Sequence, residues 1–471
     1  MIFPQIIQGG MGISVSSWQL ANAVATRGQI GVVSGTAIDL VLVRSLQNGD
    51  PGGHRRRAMA AFPRQEVVER ILEKYFIADG KEPEKAYSNK TMVGEAPSIE
   101  LQELLIVANF VEVYLAKEGH NGLVGINFLH KIQTPMMPSI YGAMLAGVDV
   151  IIVGAGIPLE IPKIIDGLSR NEAVEFSLPV KGATDGAPFK MQFDPNLVFD
   201  DCPEPHTPYF FPIVSSVTLA NLMVKKCGEG VNGLIIEGPT AGGHNAPPRG
   251  KTQYNERGEP VYGKRDEVDF EKIRDIGLPF FIAGSFASHE KLEEAKAMGA
   301  TGIQVGSLFA FSDESGLTAE IKLDAVRHCL AGTESIFRDP VASPTGFPFQ
   351  VLSLPDTLSE QDVYEDRKRI CDLGYLREAY QKEDGSLGWR CASEPLPAFL
   401  RKGGTEEDAK GRKCLCNSLM ANIGMPQRRK GGVEELPLLT SGYNLTAIKE
   451  IVKPGKETYS ASEVVDFLLG E

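Results

Sequence analysis

Short apolar runs that end in glycine or a small polar residue recur along the first two thirds of the chain. They lie at residues 5–8, 30–35, 123–128, 148–154, 210–216, 234–237, 279–285 and 302–307. Most are followed by a segment with helical spacing of apolar residues, as at residues 16–25. Because strands of a parallel sheet are buried on both faces, this pattern predicts an α/β protein with a (β/α)8 TIM barrel.

A doubly wound open sheet is the competing interpretation of the same pattern. It would concentrate glycine after the first strand, whereas here glycine or polar residues close nearly every strand, as expected when all eight loops face one site. We therefore expect a barrel over residues 1–330, with an insertion at about residues 50–120 and a hairpin insertion at about residues 178–200. The first insertion begins at Asp50-Pro51-Gly52-Gly53, which breaks the preceding helix.

The remaining residues, 331–471, are richer in charge and in proline and glycine. They predict a C-terminal appendage, mostly helical or irregular, that packs on the barrel. Helices are predicted around residues 362–380 and 461–469.

The balance of charge limits the classes of partner. The chain has 61 acidic and 48 basic residues, which argues against nucleic acid or an anionic membrane as a partner. We expect a small-molecule substrate, a homodimer and a cytoplasmic location, since neither a leader pattern nor an apolar run of about 18 residues occurs. Seven cysteines in a long chain fit a reducing compartment.

Glycine-bearing turns close strands six, seven and eight in succession. They are Glu237 to His244, Ala283-Gly284-Ser285 and Val305-Gly306-Ser307. Backbone amides after the last two strands of a barrel commonly bind phosphate. A single such turn would indicate only that glycine relieves steric crowding of the backbone at a tight turn. The three turns together favour a bound phosphorylated cofactor, and a fourth glycine turn after strand one, Gly9-Gly10-Met11-Gly12, adds to this.

These motifs together resemble the nitronate monooxygenase family, formerly called 2-nitropropane dioxygenases, and the related flavin-dependent enoyl-acyl-carrier-protein reductases. The resemblance covers about residues 6–311. It also includes Gly125-Ile126-Asn127-Phe128 of the third strand and Gln304 before Val305. It implies an FMN-dependent oxidoreductase, with NAD(P)H as reductant in the reductase case.

The resemblance also implies roles for individual residues. His244 would be the catalytic acid–base residue beside the flavin. The residues implied to bind FMN are Gly9, Gly10, Met11, Asn127, Gly242, Gly243, Gly284, Ser285, Gly306 and Ser307. The chain departs from the family where Pro239-Thr240 precede Ala241, and in a strand-seven turn that has fewer glycines.

A histidine with an ordinary pKa of about 6.5 suits either reaction, because it can take a proton from an acidic carbon or return one to an enolate. The expected activity is oxidation by O2 of a nitronate or a similar carbanion-stabilised molecule. The alternatives are an NAD(P)H-dependent enoyl-thioester reductase and, in another class, a flavin- or metal-holding interaction subunit. Arg249 and Lys251 could meet a nicotinamide or coenzyme phosphate, although exposed charges usually serve solvation.

Four cysteines of the appendage form a second candidate cluster: Cys371, Cys391, Cys414 and Cys416. Four thiolates could hold zinc or an iron–sulfur cluster, but their spacing matches no common ligand pattern. Reduced, buried cysteines are the preferred interpretation, so no metal is expected. A basic cluster, His54-Arg55-Arg56-Arg57, is read as a solvated loop in preference to an anion site.

Overall fold

The computed structural model describes residues 3–183, 189–201 and 204–471. Eight parallel strands form its central sheet: β1 (Ile6–Gln8), β2 (Gly31–Ser34), β3 (Val124–Leu129), β4 (Val150–Gly154), β5 (Tyr209–Val214), β6 (Leu234–Glu237), β7 (Phe280–Ala283) and β8 (Gly302–Val305). Neighbours in the sheet follow chain order, and β1 pairs with β8.

The sheet closes between β1 and β2. The amide of Gln8 donates to the carbonyl oxygen of Ile30 at 2.9 Å, and the amide of Ile30 donates to Ile6 at 3.0 Å. Inside, an apolar cluster fills the barrel: Ile7, Val32, Ile152, Phe211, Ile235 and Phe281 are all buried. The predicted (β/α)8 barrel is confirmed.

Helices cover the outside of the barrel: Trp18–Thr26, Ile38–Gln47, Met136–Leu145, Ile161–Ser169, Val217–Cys227, Phe270–Arg274 and His289–Ala297, with Ser307–Ala310 and Ala319–Ala331 after β8. The C-terminal helix, Ala461–Leu469, begins with a capping box between Ser460 and Glu463. It packs against both Trp18–Thr26 and His289–Ala297. The end of the chain therefore returns to the barrel wall between its first and seventh helices.

The first insertion is largely helical. It contains a 3-10 turn (Pro51–Gly53) and helices His54–Ala60, Gln65–Tyr75 and Ile99–Lys117. The last of these is buried over most of its length and packs on Met136–Leu145. No described helix is long and apolar enough to cross a membrane.

The second insertion pairs Val174–Leu178 with Phe189–Phe193 in antiparallel fashion. Part of the predicted hairpin, residues 184–188, lies outside the described residues. The short strand Val180–Lys181 pairs with Glu378–Gln381 of the appendage. Helix Pro195–Val198 and the 3-10 turns Gly228–Gly230 and Lys264–Asp266 complete this half.

The appendage is built from two antiparallel pairs and several short helices. Ile336–Asp339 pairs with Phe349–Leu352, and Glu378–Gln381 pairs with Leu387–Arg390. Its helices are Gln361–Asp366, Leu396–Arg401, Glu406–Ala409, Leu415–Asn422, Ile448–Ile451 and Ala461–Leu469.

One helix prediction in the appendage is wrong. Of residues 362–380, only the segment up to Asp366 is helical, and Glu378–Gln381 is a strand. Gly374 has a φ of +74°, which no helix contains. The guanidinium of Arg369 donates to backbone carbonyls at residues 392, 393 and 409, so tertiary contacts fix this stretch.

Candidate functional site

A cavity of about 250 Å³ lies at the carboxyl end of the barrel strands. It brings together the predicted site residues: Gly9, Gly10, Met11, Asn127, Gly242, Gly243, His244, Gly284, Ser285, Gly306 and Ser307 all line it. The appendage forms the remaining wall, with Phe349 and residues 439–444. The candidate site thus lies between the barrel and the appendage.

Glycine is required at two of the strand-end turns. A Cβ atom on Gly10 would lie 2.2 Å from the Cβ of Asn127, so the first-strand turn can approach β3 only without a side chain. Gly284 has a φ of +97°, in the region that L-residues with a side chain rarely adopt. Both turns therefore bring backbone close to the cavity.

The turn after β7 presents free backbone donors. Among the described residues, the amides of Ser285 and Phe286 have no hydrogen-bond acceptor. Ser307 begins the short helix after β8, where the first amides lack partners within the helix. Such groups can bind an anion through their N–H dipoles.

A segment of the appendage, residues 439–444, docks on the same turns. The amide of Gly243 donates to the Thr440 hydroxyl at 2.8 Å, and the amide of Gly442 donates to the Ser307 hydroxyl at 2.6 Å. A Cβ atom on Gly242 would lie 2.8 Å from the backbone of Ser441. Sequence reasoning missed this segment, which carries no periodic pattern and lies far along the chain from the barrel turns.

Polar atoms without partners mark the cavity end of the barrel interior. Asn127 donates to the carbonyl of Gly10 at 3.2 Å, but its Oδ1 is buried without a partner. The Oε1 of Gln304 is likewise buried and unpaired. Because an unsatisfied buried polar atom is costly, these two oxygens indicate a ligand with hydrogen-bond donors.

Glu237 is a site residue whose role the sequence did not reveal. It ends β6 two residues after the interior Ile235, so the alternation of a strand places it on the same inner face. It lines the cavity and has no hydrogen-bond or ion-pair partner among the described residues. Burial raises the pKa of Glu237 to about 8, which keeps its carboxyl protonated at neutral pH.

His244 is tied to the appendage by residues 343–350, which we call the clamp. Its Nε2 lies 2.7 Å from the hydroxyl oxygen of Ser343, and its ring lies edge-on to Phe349 with 4.9 Å between centroids. Backbone bonds extend this contact: Asn245 donates to Pro348, and Gln350 donates to Gly243, each at 2.9 Å.

The electrostatic state of His244 differs from the sequence-based expectation. Burial, and to a smaller degree the charge of Lys131, lower the pKa of His244 to about 4. The expected pKa of about 6.5 is therefore wrong, because it assumed a solvated imidazole. At neutral pH the ring is uncharged.

Arg249 and the three arginines of the basic cluster have structural partners. Arg249 donates to the carbonyls of Ser215 and Arg265 and so holds the loop after β6. In the basic cluster, Arg55, Arg56 and Arg57 pair with Glu112, Asp50 and Glu118, respectively. These contacts give the basic cluster a structural role.

The four appendage cysteines carry free thiols. Cys391 lies 3.2 Å from the Ser393 hydroxyl, and its hydrogen bond with Cys371 lowers the pKa of Cys391. Asn417 donates to Cys414 at 3.5 Å, and burial raises the pKa of Cys416. No group of three or more potential ligands in the described part of the chain is placed to hold a metal ion.

Comparison with known proteins supports the resemblance found in the sequence. Residues 206–337 match the family model of nitronate monooxygenase. This segment includes β5 to β8, the glycine turns after β6, β7 and β8, and His244. A search of the curated proteins finds no match.

Several solved structures are similar over nearly the whole chain. FabK from Thermotoga maritima has 16% identity and a TM-score of 0.49, covering 100% of this chain and 92% of its own. Nitroalkane oxidase from Streptomyces ansochromogenes has 14% identity and a TM-score of 0.46, with 100% and 96% coverage. The enoyl reductase domain of MlnA from Bacillus amyloliquefaciens has 12% identity and a TM-score of 0.46, with 99% and 93% coverage. Similarity at this level does not bear on the reaction.

Proposed function

We propose that the protein is an FMN-dependent oxidoreductase of the nitronate monooxygenase class, acting on a nitronate or a similar carbanion-stabilised small molecule. The observation that carries the proposal is the cavity itself. It combines glycine turns after β1, β6, β7 and β8 with unpaired polar atoms and a histidine. The family match over residues 206–337 supports the same class.

The residues present fit FMN. The flavin ring edge offers N–H and C=O groups, which complement the unpaired oxygens of Asn127 and Gln304 and the protonated carboxyl of Glu237. The free amides of Ser285 and Phe286, with the start of the helix at Ser307, suit the ribityl phosphate. When bound, FMN supplies the electron transfer, and the protein supplies binding, orientation and electrostatics.

The neutral imidazole of His244 is compatible with an anionic substrate. A nitronate has already lost its α-proton, so its oxidation does not require a strong base. His244 can then orient the anion through a hydrogen bond without forming a salt bridge. Lys131, whose charge acts on His244, adds positive potential near the ring.

The experiment is anaerobic mixing of FMN-loaded protein with ethyl nitronate or with NADPH and NADH. Loss of the oxidised flavin band with the nitronate alone supports the proposal. Bleaching by a reduced nicotinamide, followed by reoxidation with an enoyl thioester, would instead establish the enoyl-thioester reductase. Protein that stays oxidised with all of these reagents would contradict both activities.

A pair of histidine variants separates the catalytic role of His244 from a non-specific effect of replacing a histidine. His244→Ala should keep bound FMN and lose turnover of the nitronate. His328→Ala, on helix Ala319–Ala331 and outside the cavity lining, is the matched control and should behave as the parent does. Equal turnover in the parent and His244→Ala would remove His244 from the mechanism.

A further inference from the structure

Two hydroxyl groups of the clamp continue outward from His244. The Nε2 of His244 lies 2.7 Å from the Ser343 Oγ, and this oxygen lies 2.8 Å from the Thr345 Oγ1. Ser343 is fully buried, whereas Thr345 is part-exposed and does not line the cavity. The row of polar atoms therefore runs from the cavity to a residue on the outer surface.

The clamp holds these groups in place through the backbone. The amide of Thr345 donates to the Ser343 hydroxyl oxygen at 3.2 Å. The guanidinium of Arg412 donates to the carbonyl oxygens of Val341 and Ser343 at 2.9 and 2.7 Å. Ser343 is thus fixed from both sides, and its hydroxyl can donate to either His244 or Thr345.

The two ring nitrogens of His244 have different surroundings. Nε2 is engaged by Ser343. Nδ1 has no hydrogen-bond partner among the described residues. His244 lines the cavity, and Nδ1 is the ring nitrogen that Ser343 does not engage.

We propose that His244 reacts through Nδ1 and that Ser343 and Thr345 form a proton relay from Nε2 to bulk water. The relay lets the imidazole change its protonated nitrogen without becoming a cation. This matters because a cationic ring is disfavoured here: burial and the charge of Lys131 oppose it. The contacts among His244, Ser343 and Thr345 do not depend on the proposed function, but the substrate stated below rests on that function.

The reaction step that needs the relay is the loss of a proton from a neutral carbon acid, a nitroalkane. The α-C–H bond breaks, its electron pair remains on the carbon as the nitronate, and the proton binds Nδ1. The Nε2 proton passes to the Ser343 oxygen, the Ser343 hydroxyl proton passes to the Thr345 oxygen, and the Thr345 proton passes to water. One proton leaves the substrate and one reaches solvent, so the ring stays neutral.

Ser343 and Thr345 are positioning residues, and a substrate pair isolates their effect. Nitroethane must lose a proton, whereas ethyl nitronate has already lost it. In Ser343→Ala and Thr345→Val we expect kcat/KM for nitroethane to fall about 100-fold, at the lower end of the range for assisted proton transfer. The kcat/KM for ethyl nitronate should fall much less than that for nitroethane, because that reaction needs no relay.

The matched control is Thr345→Ser, which keeps the hydroxyl and should restore nitroethane turnover. Equal losses for both substrates in Ser343→Ala, or full nitroethane activity in Thr345→Val, would overturn the relay. A parent protein that oxidises ethyl nitronate but not nitroethane would overturn it as well.

A second readout needs no turnover. In protein labelled with 15N-histidine, the parent should show His244 as one neutral tautomer, identified by loss of its signals in His244→Ala. Ser343→Ala should shift the Nε2 resonance and mix the tautomers. An unchanged spectrum would overturn the assignment of the nitrogens. If the parent reacts with neither substrate, the proposed function fails and this spectrum alone decides the inference.

Discussion

Glu237→Gln gives a sharp test of the electrostatics of the cavity. The pKa of Glu237 rises from an ordinary 4.5 to about 8 because burial disfavours the carboxylate. The folded protein therefore keeps a proton that the unfolded chain releases above about pH 4.5. The resulting stability is fully present below that pH and is lost as the pH rises through about 8.

The size of the effect follows from the two pKa values. Each pH unit between them costs about 1.4 kcal/mol, so the loss approaches about 5 kcal/mol by pH 8 and then levels off. Glutamine is a neutral isostere and removes this dependence. The difference in unfolding free energy between Glu237→Gln and the parent should therefore grow steadily from about pH 5 to about pH 8.

Urea unfolding of the cofactor-free protein at pH 5, 6, 7, 8 and 9 measures this difference directly. All other titrating groups are common to both proteins and cancel in the comparison. Parallel pH profiles for the two proteins would show that Glu237 ionises normally, and would refute the burial of its side chain.

Three further outcomes are expected. Gly10→Ala should lower the unfolding free energy by about 1–3 kcal/mol, because the new Cβ would overlap Asn127. It should also weaken FMN binding, measured by quenching of flavin fluorescence. Unchanged FMN binding would contradict the close approach of residue 10 to Asn127. Thr440→Val should cost about 1 kcal/mol in denaturant unfolding, since Gly243 loses its acceptor, and Thr440→Ser should not. Elemental analysis of the parent protein should find no stoichiometric zinc or iron. A metal that is present in the parent and absent from a variant lacking Cys414 and Cys416 would refute this.

Much of the barrel follows from local sequence. Buried parallel strands need apolar residues on both faces, and this requirement produces runs such as Leu234–Glu237 that are readable without a structure. The glycine turns are equally visible, because only glycine permits the approach of residue 10 to Asn127. The grouping of these turns around one cavity then follows from the closed barrel.

The contribution of the appendage to the cavity could not be predicted from local sequence. Ser343 meets His244 across 99 positions of sequence, and Thr440 meets Gly243 across 197. Neither segment has a helical or strand period, and their positions depend on long-range contacts such as that of Arg412 with the clamp. The protonation states of His244 and Glu237 were hidden for the same reason, since burial sets both.

The central claim is that the cavity binds FMN, and the most direct measurement is an equilibrium titration of the cofactor-free protein with FMN. We expect one FMN per chain, a quenched and shifted flavin spectrum, and weaker binding in Asn127→Ala, which removes one of the unpaired oxygens beside the cavity. A protein that stays colourless after refolding or incubation with excess FMN, with an unchanged flavin spectrum, would contradict the account.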